Sequence, residues 1–325
     1  MKIGILSFAH MHAYSYATAL RRLPGVELAV VADEEEERGL AAAQQFGTVY
    51  VQDYQDALAQ DLDAVIICSE NSRHAEMVVA AAEAGKHVLC EKPIATRMGD
   101  GQRMIDACQK AGVKLQTAFP MRFNTPIQHV KHQLEAGAVG RILAMNGTNR
   151  GQNPGGWFID QQRSGGGAVM DHTVHVIDLM RWYAQSEVRE VYAEVDTRFY
   201  DMPIDDCGLL TLEFENGVIA AHDPSWSRPK SYPTWGDVTL EVVGTQGVTR
   251  VDAFAQHLVH YSQQAGKPLY LGWGNDPDMQ MVEGFISCVR EDNQPLASGE
   301  DGLRATEVAL AAYESARTGR PVRLR

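Results

Sequence analysis

The sequence predicts an α/β protein of two domains. A doubly wound parallel sheet is expected over residues 1–120, and an α+β domain with a large, mostly antiparallel sheet over 121–325. Three observations carry this. Up to about Phe119, short and nearly continuously apolar runs alternate with amphipathic stretches, the pattern of strands buried on both faces and joined by helices. Past Pro120, helical patterns give way to alternating strands joined by short turns. The 325 residues suit two ordinary domains, and 45% hydrophobic content supplies their cores.

In the first domain, strands are expected at 3–8, 28–32, 64–68, 87–91 and 113–118. Between them, the amphipathic stretches 74–84 and 98–110 each run into a glycine stop, Gly85 and Gly112. The acidic run 34–37 reads as a solvated helix start favoured by the helix dipole. In the second domain a helix is expected over 126–136. A glycine-rich loop from Gly151 to Gly156 and the Gly165-Gly166-Gly167 run then lead into a helix over 168–184. Strands follow at 188–196, 208–214, 218–222, 238–243 and 248–251, with Glu215-Asn216-Gly217 as a hairpin signal and Thr245-Gln246-Gly247 as a further turn. Helices over 278–290 and 302–318 close the chain.

The net charge of −13, with no basic stretch to offset it, argues against nucleic-acid or anionic-membrane partners. The five cysteines are scattered, odd in number and without a CxxC pair, so buried free thiols in a reducing compartment are expected. The first apolar segment ends by His10, too soon for a signal peptide, and no later one is long enough to span a bilayer. A soluble cytoplasmic protein is expected.

Two motifs carry chemistry. Glu91-Lys92-Pro93 closes an apolar run and puts a lysine at the carboxyl end of a parallel strand, where open α/β sheets hold their ligands. Asp171 and His175, after the triple glycine, stand at i and i+4 on one face of a helix. Lysine, aspartate and histidine together can polarise a hydroxyl and take its proton, given a nicotinamide to accept hydride. The plainer reading of Asp171 and His175 is a surface ion pair. Asp171, His172 and His175, with His10 and His12, have spacings a metal could use. Without an HExxH motif or cysteine cluster no metal is expected, because lone histidines more often pack and hydrogen-bond.

A dinucleotide turn wants glycines after the first strand. Here the three glycine positions hold Ser7, Ala9 and His12; Ser7 and Ala9 are small enough for a close backbone approach. Asp33 ends the second strand, where a carboxylate binds ribose hydroxyls, and the glutamates after it would repel the extra phosphate of NADP. A helix N-cap explains Asp33 equally well. The polar segment Ser69-Glu70-Asn71-Ser72-Arg73-His74 lies at the same sheet edge, or is a plain loop.

These residues, in this order and spacing, resemble the glucose–fructose oxidoreductase/inositol dehydrogenase (Gfo/Idh/MocA) family over nearly the whole chain. The likeness adds Phe119-Pro120-Met121-Arg122-Phe123, Val242-Val243-Gly244-Thr245 and Ser298-Gly299-Glu300-Asp301-Gly302 to the motifs above. The resemblance implies an N-terminal NAD(P) domain and a C-terminal domain whose open sheet forms an oligomer contact, hence a homodimer or homotetramer. It implies a catalytic trio of Lys92, Asp171 and His175 and a cis Lys92–Pro93 peptide. Cofactor contacts are expected from Ser7, Phe8, Ala9, His10, His12, Asp33, Ser69, Glu70, Asn71, His74, Glu91, Lys92 and Arg122. Substrate contacts are expected from Lys92, Arg122, Trp157, Asp171, His172 and His175, with the 226–235 loop nearby. The expected reaction is oxidation of a secondary alcohol on a sugar, cyclitol or related polyol with NAD rather than NADP. His175 is the base, Asp171 orients it, and Lys92 stabilises the alkoxide. NAD-assisted glycosidic cleavage and a non-catalytic sensor are the alternatives. The departure from the family is the glycine turn, which bears on cofactor affinity.

Overall fold

The computed structural model describes residues 1–255, 257–272 and 274–324. The chain begins with β1 (Lys2–Leu6), α1 (His12–Arg22), β2 (Glu27–Ala32), α2 (Glu36–Phe46), β3 (Val49–Val51) and α3 (Tyr54–Leu58). It continues with β4 (Ala64–Ile67), α4 (His74–Glu83), β5 (His87–Cys90), α5 (Met98–Ala111) and β6 (Leu115–Thr117). All six strands are parallel in the order β3-β2-β1-β4-β5-β6, the doubly wound arrangement. Strand side chains Leu6, Val30, Val65, Ile67, Val88 and Cys90 meet Met77, Val78 and Ala81 of α4 and Met104 and Ile105 of α5 in one buried cluster. The strand order reverses between β1 and β4, so their carboxyl ends form the crevice where such sheets take ligands. Sequence reading misses β3, whose three partly exposed residues are too few to show a period.

Next come α6 (Thr125–Glu135), β7 (Ile142–Thr148), α7 (Gln161–Ser164), α8 (Ala168–Ala184), β8 (Val188–Asp196), β9 (Cys207–Phe214) and β10 (Ile219–Asp223). The chain ends with β11 (Thr239–Gly244), β12 (Val248–Asp252), β13 (His257–Ser262), β14 (Lys267–Gly272), α9 (Pro277–Arg290), α10 (Gly299–Thr318) and β15 (Val322–Arg323). The chain forms two compact units. The first comprises Met1–Pro120 with the returning segments Gly156–Gly165 and Asp278–Glu307; the second comprises the remainder.

The second unit's sheet has the order β12-β11-β7-β10-β9-β8-β15. Its pairings are antiparallel except β7 with β10. The central strand β7 has no counterpart among the sequence expectations, because Asn146 and Gly147 break its apolar pattern. The structure shows why a glycine stands there. A Cβ on Gly147 would lie 2.6 Å from Val176 Cγ1 and 2.8 Å from Met180 Cε, both on α8, so the glycine lets the helix settle onto the sheet. The β13–β14 hairpin is also absent from the sequence expectations; the two strands pair with each other as a separate two-stranded sheet. Cys68, Cys90, Cys108 and Cys288 are buried free thiols, whereas Cys207 is partly exposed. No described helix is long and apolar enough to cross a membrane.

Candidate active site

At the carboxyl edge of the first unit's sheet, Ser7 takes the left-handed conformation (φ 71°) that the first glycine of a dinucleotide turn adopts. The backbone donors that follow are committed within the chain. Ser7 N–H donates to Ala32 O at 2.7 Å and His10 N–H to Cys68 O at 2.9 Å. Phe8 N–H donates to Asp33 Oδ2 at 2.6 Å, Ala9 N–H to Ser7 Oγ at 3.1 Å and His12 N–H to His10 Nδ1 at 3.2 Å. Five of the six N–H groups from Ser7 to His12 therefore have internal partners. Trp157 Nε1 pins the same turn by donating to Ala9 O at 3.0 Å, and its ring stacks on Phe158.

Asp33 is buried and fully engaged. Besides Phe8 N–H, it accepts Glu35 N–H at 2.9 Å and a two-pronged contact from Arg38, Nε at 2.8 Å and Nη2 at 2.7 Å. Four donors match the roughly four acceptor positions of a carboxylate. Asp33 is not the N-cap of α2, a position that Glu35 holds without a side-chain cap; it ties the Glu35 N–H just before the helix and grips Arg38 from the helix's first turns. Next to it lies a polar cleft of about 550 Å³ lined by Ser7, Asp33, Glu34, Asp53, Asp56 and Arg73, among others.

Glu91, at the end of β5, is wholly buried and charged groups converge on it. His12 Nδ1 lies 3.0 Å from Oε1, Tyr16 Oη donates to the same oxygen at 2.5 Å, and Lys92 N–H donates to Oε2 at 3.1 Å. Burial pushes the Glu91 carboxyl up, but the imidazoles of His10 and His12, the His12 hydrogen bond and Lys92 outweigh it and hold the group well below the usual carboxylate range. For His12, burial lowers the pKa and Glu91's charge and hydrogen bond raise it, with a net upward shift. One ligating atom from each of His10, His12 and Glu91 lies within 4.8 Å of the others, close enough for a metal. The hydrogen bonds favour protons. His10 Nδ1 accepts from His12 N–H, which puts the proton of a neutral His10 on Nε2, 3.9 Å from Glu91 Oε2. Ligation through Nε2 would move that proton to Nδ1, facing the His12 N–H donor to donor.

Lys92 is buried and precedes a cis bond to Pro93, as the resemblance implied. His74 holds that junction: Nδ1 lies 3.0 Å from Pro93 O and Nε2 3.2 Å from Ser69 O. Burial lowers the pKa of His74. Asn71 Nδ2 donates to Ser164 O at 2.8 Å, and Glu70 pairs with Arg163 at 3.6 Å.

In the second unit, Asp171, His172 and His175 all lie in α8 and all are buried, which rules out the solvated ion pair as the account of Asp171 and His175. His172 is hydrogen-bonded through Nδ1, 3.0 Å from Pro224 O, while Nε2 stands 3.2 Å from Asp171 Oδ2 without hydrogen-bond geometry, and Trp235 packs edge-on against the ring. The last of the three glycines is explained by what closes the helix. Asp205 accepts Gly167 N–H at 2.8 Å, Val169 N–H at 2.9 Å and Tyr313 Oη at 2.8 Å. A Cβ on Gly167 would stand 1.9 Å from Asp205 O, so only glycine fits. Burial raises the Asp205 pKa, and those hydrogen bonds only partly offset it. Arg122 forms a buried fork on Asp178, Nε at 2.7 Å and Nη2 at 2.6 Å, with its guanidinium 5.5 Å from the Trp182 ring centre. Sequence reading does not find Arg38, Tyr16, Asp205 or Tyr313. Only Arg38, five residues after Asp33, carried a local signal.

An open doubly wound sheet with a polar crevice at its carboxyl edge defines the class of dinucleotide-binding α/β proteins. The oxidoreductase family with an NAD-binding Rossmann fold, Gfo/Idh/MocA, matches residues 1–119, and the family's C-terminal domain matches residues 127–250. The chain belongs to the Gfo/Idh/MocA oxidoreductase family. It is 32% identical to an uncharacterized oxidoreductase of Bacillus subtilis, over 93% of this chain and 91% of the relative. It is 29% identical to myo-inositol 2-dehydrogenase of Thermotoga maritima, over 100% and 98%. A solved structure of a probable dehydrogenase from Thermotoga maritima superposes with TM-score 0.86 at 28% identity, covering 99% of this chain and 98% of that one.

Proposed function

We propose that this protein oxidises a secondary alcohol of a sugar, cyclitol or related polyol, passing hydride to NAD. The observation that carries the reading is the burial of a carboxylate and an imidazole, Asp171 and His175, one turn apart in α8 of a chain that belongs to an oxidoreductase family and retains Lys92. The activity of the relative named myo-inositol 2-dehydrogenase supports the substrate class. His175 takes the hydroxyl proton, Asp171 orients the imidazole or a neighbouring hydroxyl, and the Lys92 ammonium stabilises the developing alkoxide. Nicotinamide, when bound, supplies the hydride acceptor.

Preference for NAD over NADP follows from charge. Arg38, the one cation gripping Asp33, is already neutralised by Asp33 and Glu35. A 2′-phosphate in the adjoining cleft would meet Asp33, Glu34, Asp53 and Asp56, against Arg73, which already pairs with Glu34 and Glu76. Ribose hydroxyls reach Asp33 by replacing one Arg38 contact. The remaining predicted cofactor contacts, Ser7 to His12, Ser69 to Asn71, His74 and Glu91, shape this edge or support those that do. The same reading gives substrate contacts to Arg122, Trp157 and His172, each fixed within its own unit by the partners described above. A homodimer or homotetramer would form through the open face of the second sheet, where Leu209 and Ile219 are exposed.

The test is NADH formation with a panel of sugars and inositols, with NADP in parallel. Turnover with NAD that His175→Ala abolishes is expected. No reduction of NAD by any polyol, or full turnover by His175→Ala, would remove the reading.

A further inference from the structure

The turn that normally offers backbone N–H groups to a pyrophosphate has, in this chain, spent nearly all of them internally. Phe8 N–H is on Asp33, Ala9 N–H on Ser7, His10 N–H on Cys68 and His12 N–H on His10. The third glycine position holds instead a histidine at the first residue of α1. Its Nδ1 is anchored on the buried Glu91 at 3.0 Å, and about a third of its side chain is exposed. The carboxylate is further satisfied by Tyr16 Oη and by Lys92 N–H, so it stays ionised and keeps a proton on Nδ1. The hydrogen bonds of this ring run through Nδ1, which leaves Nε2 as the atom able to serve a ligand.

We propose that His12, held as an imidazolium by Glu91, supplies the charged hydrogen bond to the dinucleotide pyrophosphate that glycine-turn N–H groups supply in other folds of this kind. This rests on the cofactor reading above. A helix N-terminus already favours an anion; an imidazolium at its first residue adds a full charge and a donor. The groups facing His12 are Glu91 at the end of β5, Tyr16 on α1, His10 in the turn, Lys92 after β5 and Asp278 in α9. Glu91 and Asp278 favour the charged ring and Lys92 opposes it, with Glu91 the strongest of the three. The direction agrees: His12 is shifted upward, so the ring still carries charge where a free imidazole would have lost it.

Affinity for the dinucleotide should therefore be full at low pH and fall as pH rises through the titration of His12. The experiment is calorimetric titration of the full chain with NAD from about pH 6 to about pH 9, with adenosine, which lacks the pyrophosphate, as the second probe. The NAD dissociation constant should rise on the order of tenfold to a hundredfold across that range, the worth of one charge-assisted hydrogen bond, while adenosine binding stays level. His12→Gln should bind NAD weakly and with a flat profile. Glu91→Gln should move the loss of affinity to lower pH, a displacement that a merely structural role for Glu91 would not produce. NAD bound with a flat profile in the unmodified protein, or bound equally well by His12→Gln at low pH, overturns this inference and leaves the cofactor reading standing. No NAD bound at any pH overturns both.

Discussion

Two buried carboxylates, one in each unit, have opposite fates. Glu91 is met by imidazoles and a lysine and is held well below the usual range. Asp205 is met by backbone N–H groups and the Tyr313 hydroxyl, and burial wins, leaving its pKa raised. The contrast separates two uses of the same group. Asp205 closes the N-terminus of α8 with a carboxyl of the chain's own, so that end of the helix is finished. Glu91 pairs with His12 at the N-terminus of α1 and raises its pKa, where the first-turn residues supply no carboxylate. Neutral donors serve construction, whereas a paired ion leaves a charge that a ligand can answer.

The comparison breaks most sharply at turnover. His175→Ala, in the helix that Asp205 closes, should lower kcat by about 10²–10⁴-fold without unfolding α8. Steady-state NADH formation together with circular dichroism measures both, and unchanged kcat at neutral pH would place the base elsewhere. The next effect is on stability. Asp205→Ala leaves Gly167 N–H, Val169 N–H and Tyr313 Oη without their acceptor and should cost about 3 kcal/mol in urea unfolding, combining a lost cap with buried unpaired donors. A cost near zero would mean the helix end is closed by other means. Gly147→Ala should cost about 1–3 kcal/mol by forcing α8 away from β7. Its unfolding midpoint tests whether that glycine sets the spacing.

The smallest effects sharpen the pH contrast. Glu91's folded pKa is depressed, so it contributes stability above its unfolded value of 4.5 that is lost as pH falls through the lowered folded value. Asp205's folded pKa is raised, so its contribution is complete below the unfolded 3.8 and is lost as pH rises through the raised value. Stability of Glu91→Gln and Asp205→Asn, each measured from acid to neutral pH against the unmodified chain, should diverge on opposite sides. Parallel curves would show that the two carboxylates do not differ as described.

The alternation of apolar runs and helices was legible because it is local. So were Lys92 at a strand end and Asp171 one turn before His175 in a helix. What escaped depends on partners far along the chain. The Gly165–Gly167 run signals a loop, but the reason for Gly167, Asp205, lies 38 residues beyond it. His12 reads as a failed glycine until Glu91, 79 residues away, is seen to hold it. Strand β7 was hidden by the residue that makes it work, since Gly147 weakens the strand pattern in order to admit Val176 and Met180. Asp33 was divided between cap and ribose ligand; the N-cap of α2 is Glu35, and the four acceptor positions of Asp33 are filled by Phe8 N–H, Glu35 N–H and Arg38, a partner set that no cap rule anticipates.

The clamp on Pro93 has a consequence for Lys92. Glu91 is locked into the proton network on one side, and on the other the Pro93 carbonyl is bound by His74, itself braced on Ser69. The lysine's main chain is thus immobilised at both neighbours, and only its four-carbon stem remains to adjust. If Lys92 acts on a substrate as proposed, any adjustment of its ammonium is confined to side-chain torsions, and the cost of fixing its backbone is met during folding.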